Sequence, residues 1–174
     1  MISYIIKSVL KIIFWVLVFF FFCLGLTLCS GNPRANEIPE DIKCLATTVY
    51  HEARGESHNG KIAVAKVVMN RVNNKDRFPN KVCHVVKQKN QFSWVNGKRY
   101  IPIKYTKKEL DIAKKVYYNN ENYNHVVNND VLFFQTRNIK NNWAVKNLVR
   151  SKVIGNHVFF KYPSAKKTTT SRNK

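Results

Sequence analysis

An uninterrupted apolar run near the N-terminus limits, more than any other feature, what this chain of 174 residues can fold into. Residues 12–29 carry no charge, and Lys7 and Lys11 precede them. As a helix that rises about 1.5 Å per residue, the run spans roughly 27 Å, close to the hydrocarbon thickness of a bilayer. A buried helix of a soluble domain would need apolar cover on every side of Phe19 to Phe22. The run therefore favours a membrane-targeting segment.

The position of this segment predicts how the chain is organised. Lysines that precede an apolar run stay in the cytoplasm, so we expect the rest of the chain to be exported, to the periplasm or cell envelope. The length of the run favours a retained inner-membrane anchor, although small residues near Ser30 leave cleavage as a signal peptide open. We expect four parts: a signal peptide or anchor over 1–29, a linker over 30–38, a folded domain over 39–162 and a basic disordered tail over 163–174.

Two of the four cysteines, Cys44 and Cys83, lie in the predicted folded domain. No CxxC motif and no neighbouring His/Cys cluster accompanies them, so the sequence predicts no metal site. In an exported domain, the natural expectation is a disulfide between the two residues. No motif of the chain implies an organic cofactor.

The folded domain shows helical periodicity followed by short apolar strand patterns. Pro39 and the acidic residues after it predict a helix start, and the apolar stripe from Ile42 to Ala53 predicts one buried face. Residues 61–72 are apolar on nearly every face, which predicts a buried central helix. Later patterns predict a short helix at residues 82–87 and a helix that begins with a capping box of Thr106 and Glu109. Two short strands are predicted at 131–134 and 153–160.

Glu52 lies at the edge of the apolar stripe of the first predicted helix of this domain, where a carboxylate is partly desolvated. Desolvation disfavours the charged form and raises the pKa, as a general acid at neutral pH requires. On spacing alone, a helix-end glutamate paired with Arg54 is the more frequent arrangement. A zinc-protease motif is excluded, because the second histidine of HExxH would fall on Gly55.

A second candidate feature is the polar-aromatic segment from Gln91 to Trp94. Aromatic faces rimmed by amide and hydroxyl groups suit sugar binding, so the segment is compatible with a glycan groove. A hydrophobic plug of Phe92 and Trp94, with Gln91 and Ser93 in water, is equally compatible with the pattern.

Several motifs in a fixed order make the sequence similar to a known family. Residues 44–97 contain EARGE, GKIAVAKVVMNRV, FPNKVC and QFSW, and the later pieces are LFFQT, Asn142-Trp143-Ala144 and VIGNHVFFK. In this order they resemble the SleB/CwlJ-type cell wall hydrolases, known from spore-cortex lysis. The resemblance covers about residues 42 to 161. Each motif alone would be weak, whereas their combination is specific.

The resemblance implies a lysozyme-like α+β fold, mainly helical with a small antiparallel sheet. It also implies cleavage of peptidoglycan between N-acetylmuramic acid and N-acetylglucosamine, as a lytic transglycosylase. The catalytic residue of the family, the first glutamate of EARGE, falls on Glu52. From its position we expect Glu56 to fix Arg54 or to cap the next helix; if Glu56 instead held a water, ordinary hydrolysis would follow. Supporting or substrate-binding roles are assigned to Arg54, Glu56, Asn70, Arg71, Gln91, Phe92, Ser93 and Trp94.

Two departures from the family pattern affect the substrate contacts expected near the first strand. The loop VVNNDV lacks the usual glycine, and Gln135 replaces a frequent histidine. A non-catalytic peptidoglycan-binding module is therefore an alternative function. A membrane-tethered nucleic-acid-binding protein would account for the formal net charge of +20 but not for EARGE or QFSW. We accordingly expect peptidoglycan, and no nucleic acid, as the partner of a monomer.

Overall fold

The structure is a computed structural model that describes most of the chain. The described residues are 2–27, 37–98, 100–138 and 145–164. Most of the predicted linker, most of the predicted tail and the motif Asn142-Trp143-Ala144 lie outside the described residues.

The chain forms two compact units, Met1–Glu37 and Ile38–Lys174. The first unit contains helix α1 (Ile2–Thr27), which includes much of the apolar run. Within the described residues, no helix combines the length and the apolar character that a membrane crossing requires. The predicted anchor over residues 12–29 is therefore without support from the structure.

In its described part, the second unit begins with helices whose starts follow local sequence signals. These are α2 (Glu40–Ala53), α3 (His58–Asn73), α4 (Val82–Val86) and α5 (Lys107–Tyr118). Two acidic residues occupy the first turn of α2, where they complement the helix dipole. The Ser57 hydroxyl caps α3 by accepting a hydrogen bond from the Gly60 N–H. The predicted capping box of Thr106 and Glu109 begins α5.

A small antiparallel sheet follows the helices, as the family resemblance implies. Its strands are β1 (Val131–Thr136), β2 (Val149–Ile154) and β3 (His157–Lys161), in the spatial order β1-β3-β2. Residues 153–160, predicted as one strand, are instead divided by a turn between β2 and β3. The turn forms because Gly155 adopts a left-handed φ of 56°, which glycine tolerates without strain.

Helix α3 lies at the centre of this unit, and its all-round apolar pattern correctly predicts this position. Helices α2, α4 and α5 and strand β1 all pack against it. Its polar side chains Lys61, Lys66, Asn70 and Arg71 are also buried. Since an unpaired buried polar group is costly, each of these side chains must find a partner on a neighbouring element.

A disulfide joins Cys44 near the start of α2 to Cys83 in α4, and so confirms the predicted disulfide. The Cys83 N–H also donates to Asp41 Oδ1 at 3.1 Å, which fixes α4 against the first turn of α2. Closing a loop of 39 residues contributes about 4 kcal/mol in the chain-entropy account of disulfides. Glu40 lies beside the two sulfur atoms, but both thiols are consumed by the disulfide and offer no metal site.

Lys61 and Glu109 form a buried ion pair between α3 and α5, with Nζ 2.6 Å from Oε1. Lys61 Nζ also donates to the Arg54 carbonyl oxygen at 2.9 Å. Burial acts to raise the pKa of the Glu109 carboxyl, but hydrogen bonds from Lys61 and Thr106 outweigh burial and lower the pKa to about 2. Glu109 is therefore ionised at neutral pH and ties the two helices together.

We expect Glu109→Gln to lower the free energy of unfolding by about 3–5 kcal/mol near neutral pH, because it leaves the Lys61 ammonium buried without a counter-charge. The carboxylate stabilises the fold fully above the pKa of an unfolded glutamate, about 4.3, and this contribution is lost as the pH falls through the folded value of about 2. The difference in free energy of unfolding between wild type and variant should therefore shrink as the pH falls over this range. Urea unfolding at several pH values measures it.

Asp111→Asn is the matched control, since it removes a carboxylate from the same helix but breaks only the exposed pair with Lys107. This variant should keep nearly the wild-type unfolding midpoint. Equal losses of stability in the two variants would contradict the assigned role of the Lys61–Glu109 pair.

Candidate active site

Glu52 lies in the last turn of α2, and its side chain is partly buried. The indole Nε1–H of Trp94 donates to Glu52 Oε1 at 2.9 Å. Trp94 belongs to the segment that connects α4 to α5, so residues distant in sequence meet at this carboxyl. The partner of Glu52 is thus an indole from another segment rather than the guanidinium of Arg54.

Opposing effects set the pKa of the Glu52 carboxyl. Burial is the largest and raises it, while the hydrogen bond from Trp94 and the positive charge of Arg71 lower it. The net direction is upward, which increases the protonated fraction at a given pH. Glu52 is therefore suited to donate a proton, and its indole partner fixes the direction of one carboxyl oxygen.

His51 packs against the face of the same indole. Its ring stacks on Trp94, with the two centroids 4.4 Å apart and an angle of 14° between the planes. Burial lowers the pKa of His51, and nearby lysines and Arg54 lower it further, so the neutral imidazole is favoured. Sequence reasoning considered His51 only as a metal ligand and missed this role, because no local pattern indicates which ring it will stack on.

Arg71 provides the buried positive charge behind the site. Its Nε–H donates to the Leu132 carbonyl oxygen at 2.7 Å, which joins α3 to β1. Its guanidinium carbon lies 5.5 to 5.7 Å from the ring centroids of Phe78, Phe92 and Phe133. Burial lowers the pKa of Arg71 to about 10, so the group remains charged at neutral pH. Phe92, one of these rings, is itself buried.

Glu56 occupies a different position from the one predicted. Its carboxylate accepts a hydrogen bond from the Asn156 N–H at 3.2 Å and lies 3.9 Å from His157 Nδ1. It neither fixes Arg54 nor caps α3, because the turn between β2 and β3 is packed against it and Ser57 supplies the cap. A Cβ at Gly155 would collide with this carboxylate. Glu56 therefore connects the α2–α3 turn to the sheet.

Of the remaining predicted site residues, one is buried and two are exposed. Asn70 is buried and donates to the carbonyl oxygens of Asn128 and Val131, at 2.9 Å each, so it holds the loop before β1. Gln91 and Ser93 are exposed on either side of Phe92. The polar-aromatic segment thus combines both interpretations offered by its sequence, with a buried phenylalanine and a tryptophan at the partly exposed site.

The helical unit, its small antiparallel sheet and the half-buried helix-end glutamate together define a lysozyme-like α+β protein. The chain matches the family described as Cell Wall Hydrolase over residues 55–160 and belongs to that family. This match begins just after Glu52, so the assignment of Glu52 depends on the residues themselves and on the site geometry.

Proteins named spore cortex-lytic enzymes are similar to this chain in sequence. The chain is 33% identical over 122 residues to a spore cortex-lytic enzyme of Bacillus cereus, covering 70% of this chain and 44% of the relative. It is 41% identical over 70 residues to the spore cortex-lytic enzyme of Bacillus subtilis (strain 168), covering 40% and 23%. The chain thus spans less than half the length of these curated relatives.

Two solved structures share the fold. The catalytic domain of the germination-specific lytic transglycosylase SleB from Bacillus anthracis matches with a TM-score of 0.58 and 25% identity, over 73% of this chain and 98% of that one. The catalytic domain of the Bacillus cereus SleB protein matches with a TM-score of 0.57 and 25% identity, over 76% and 99%. The similarity therefore includes nearly the whole of both domains.

We expect Trp94→Phe to raise the pKa of Glu52 further, because the variant keeps an aromatic ring on His51 but removes the hydrogen bond that stabilises the ionised carboxyl. Carbon-13 NMR titration of the glutamate carboxyls measures this pKa without any assay of activity. A control variant, Phe133→Leu, changes an aromatic residue of the Arg71 surroundings without touching the bond to Glu52. A fall in the pKa of Glu52 in Trp94→Phe would contradict the assigned effect of the bond.

Proposed function

We propose that this chain is a peptidoglycan-cleaving enzyme, a lytic transglycosylase that breaks the bond between N-acetylmuramic acid and N-acetylglucosamine. Membership of the cell wall hydrolase family supports the substrate class. The observation that carries the proposal is the Glu52 carboxyl, half buried, raised in pKa and oriented by the Trp94 indole. The catalytic domain in this proposal comprises residues 39–162.

The first step uses the protonated form of Glu52. Its carboxyl donates a proton to the glycosidic oxygen, the bond to the muramic acid anomeric carbon breaks, and an oxocarbenium-like centre develops there. The N-acetylglucosamine leaves with a new hydroxyl. A raised pKa favours this step, since more of the carboxyl carries the proton that the leaving oxygen needs.

The second step uses the ionised form of the same residue. Glu52 accepts the proton of the C6 hydroxyl of the muramic acid, whose oxygen attacks the anomeric carbon and closes a 1,6-anhydro ring. The positive charge of Arg71 favours the carboxylate at this stage. No second carboxylate is required, which agrees with the engagement of Glu56 by Asn156.

We expect Glu52→Gln to lower turnover of sacculi by at least about 10²–10⁴-fold, the usual contribution of general acid–base catalysis. The amide keeps the size of the side chain but can neither donate nor recover the proton. Release of soluble muropeptides measures turnover, and sedimentation with sacculi checks that the variant still binds. Binding without turnover in the wild type as well would instead indicate a non-catalytic wall-binding module.

Glu56→Gln is the matched control, because it makes the same change four residues later in a carboxylate that we assign to structure. It should keep turnover within about threefold of wild type, since an amide oxygen can accept the Asn156 hydrogen bond. Mass spectrometry of the products tests the second step separately. Anhydro-muramic ends support the transglycosylase, whereas reducing muramic ends would identify a hydrolase.

We infer further that the catalytic domain works outside the cytoplasm, where a disulfide persists. The disulfide between Cys44 and Cys83, together with the apolar run behind Lys7 and Lys11, supports this inference. In protein made by cells with its N-terminal segment intact, peptide mapping after alkylation should find both thiols oxidised. The same chain lacking residues 1–29 should accumulate with both thiols free. Free thiols in both forms would contradict export.

A further inference from the structure

Three basic side chains gather at one edge of the Glu52 site. Arg54 directly follows α2, Lys98 lies four residues after Trp94, and Lys104 lies just before α5. The Arg54 guanidinium carbon and the Lys104 ammonium lie 5.6 Å and 5.3 Å from the centroid of the Tyr50 ring. All three residues lie near enough to His51 for their positive charges to lower its pKa, in addition to the larger effect of burial. We call Arg54, Lys98 and Lys104 the cationic edge.

A short series of contacts joins the cationic edge to the catalytic carboxyl. The Tyr50 ring meets the His51 ring edge to face at 5.3 Å, His51 stacks on Trp94 at 4.4 Å, and Trp94 binds Glu52. Arg54 and Lys104 are therefore connected to Glu52 through three rings in mutual contact, those of Tyr50, His51 and Trp94. A group attached to a sugar bound at Glu52 could reach them.

The backbone fixes the cationic edge in place. The Lys104 N–H donates to the Thr47 hydroxyl oxygen of α2 at 3.2 Å, and the Lys98 N–H donates to the Val95 carbonyl oxygen at 3.1 Å. Only the long side chains need to adjust when a ligand arrives. A binding surface built on a fixed backbone loses less conformational entropy than one on a free loop.

Within the described part of the chain, no carboxylate forms an ion pair with any member of the cationic edge, and all three side chains are exposed. In contrast, Lys61 and Lys161 have carboxylate partners at 2.6 Å and 2.7 Å. Like charges held close together repel one another, and an anion relieves this repulsion. The cationic edge is therefore complementary to negative groups supplied from outside.

We propose that the cationic edge binds carboxylates of the peptide stem carried by the muramic acid, and thereby favours strands whose stems keep these carboxylates free. This inference rests on the proposed function. The stem extends from the same sugar whose glycosidic bond is broken, which brings its carboxylates beside Glu52. Arg54 can bind a carboxylate through two N–H groups, and the two lysines act as point charges on flexible stems.

The test compares two forms of one substrate and two forms of the enzyme. Soluble peptide-bearing glycan fragments are used with free carboxylates, or after carbodiimide coupling to ammonia has converted these carboxylates to neutral amides. For wild type, we expect amidation to raise KM about five- to tenfold with little change in kcat, the size expected of a few exposed ion pairs. The triple variant Arg54→Gln, Lys98→Gln, Lys104→Gln should show the high KM on both substrates.

A matched triple variant, Lys75→Gln, Lys114→Gln, Lys115→Gln, removes the same charge from exposed positions elsewhere and should keep the wild-type preference. In about 1 M salt, where charges interact over only about 3 Å, the preference of wild type should disappear. Equal KM values for both substrates in wild type would overturn this inference and leave the proposed function intact. If the wild type turned over neither substrate, the proposed function itself would be overturned.

Discussion

The desolvation of polar side chains on the central helix is the constraint on which the rest of the fold depends. Helix α3 is buried on nearly all sides, so its polar residues cannot bind water and must bind other parts of the chain. Lys61 binds Glu109 of α5, Asn70 binds the loop before β1, and Arg71 binds the first residues of β1. One helix thereby determines where α5 and the sheet lie.

Arg71 connects the buried helix α3 to the candidate active site. Its guanidinium lies against Phe92, which holds the segment that carries Trp94 close to the end of α2. The indole and the buried charge both favour an ionised Glu52, while burial favours the neutral acid more strongly. A residue that donates and then recovers a proton benefits from such opposing effects, because neither protonation state is excessively stable.

The departures from the family pattern lie in the loop before β1 and on β1 itself. The glycine-free loop before β1 is held by Asn70 and by Lys66, whose ammonium donates to Asn129 Oδ1 at 2.6 Å. Gln135 lies on β1. Basic residues also lie around Tyr50, whose ring contacts His51.

Local patterns in the sequence were sufficient for several features of this protein. Helical periodicity predicted α2 and the buried α3, the Thr106 and Glu109 pair predicted the start of α5, and the position of Glu52 on the apolar stripe predicted its partial burial. These features depend on neighbours within a few turns. The turn at Gly155 is also local, although the apolar residues on both sides of it predicted a single strand. Only the tertiary structure decided the contact of Glu56 with Asn156 and the stack of His51 on Trp94. Both contacts join segments that are far apart in sequence, and their relative placement follows from packing around α3 rather than from any local pattern.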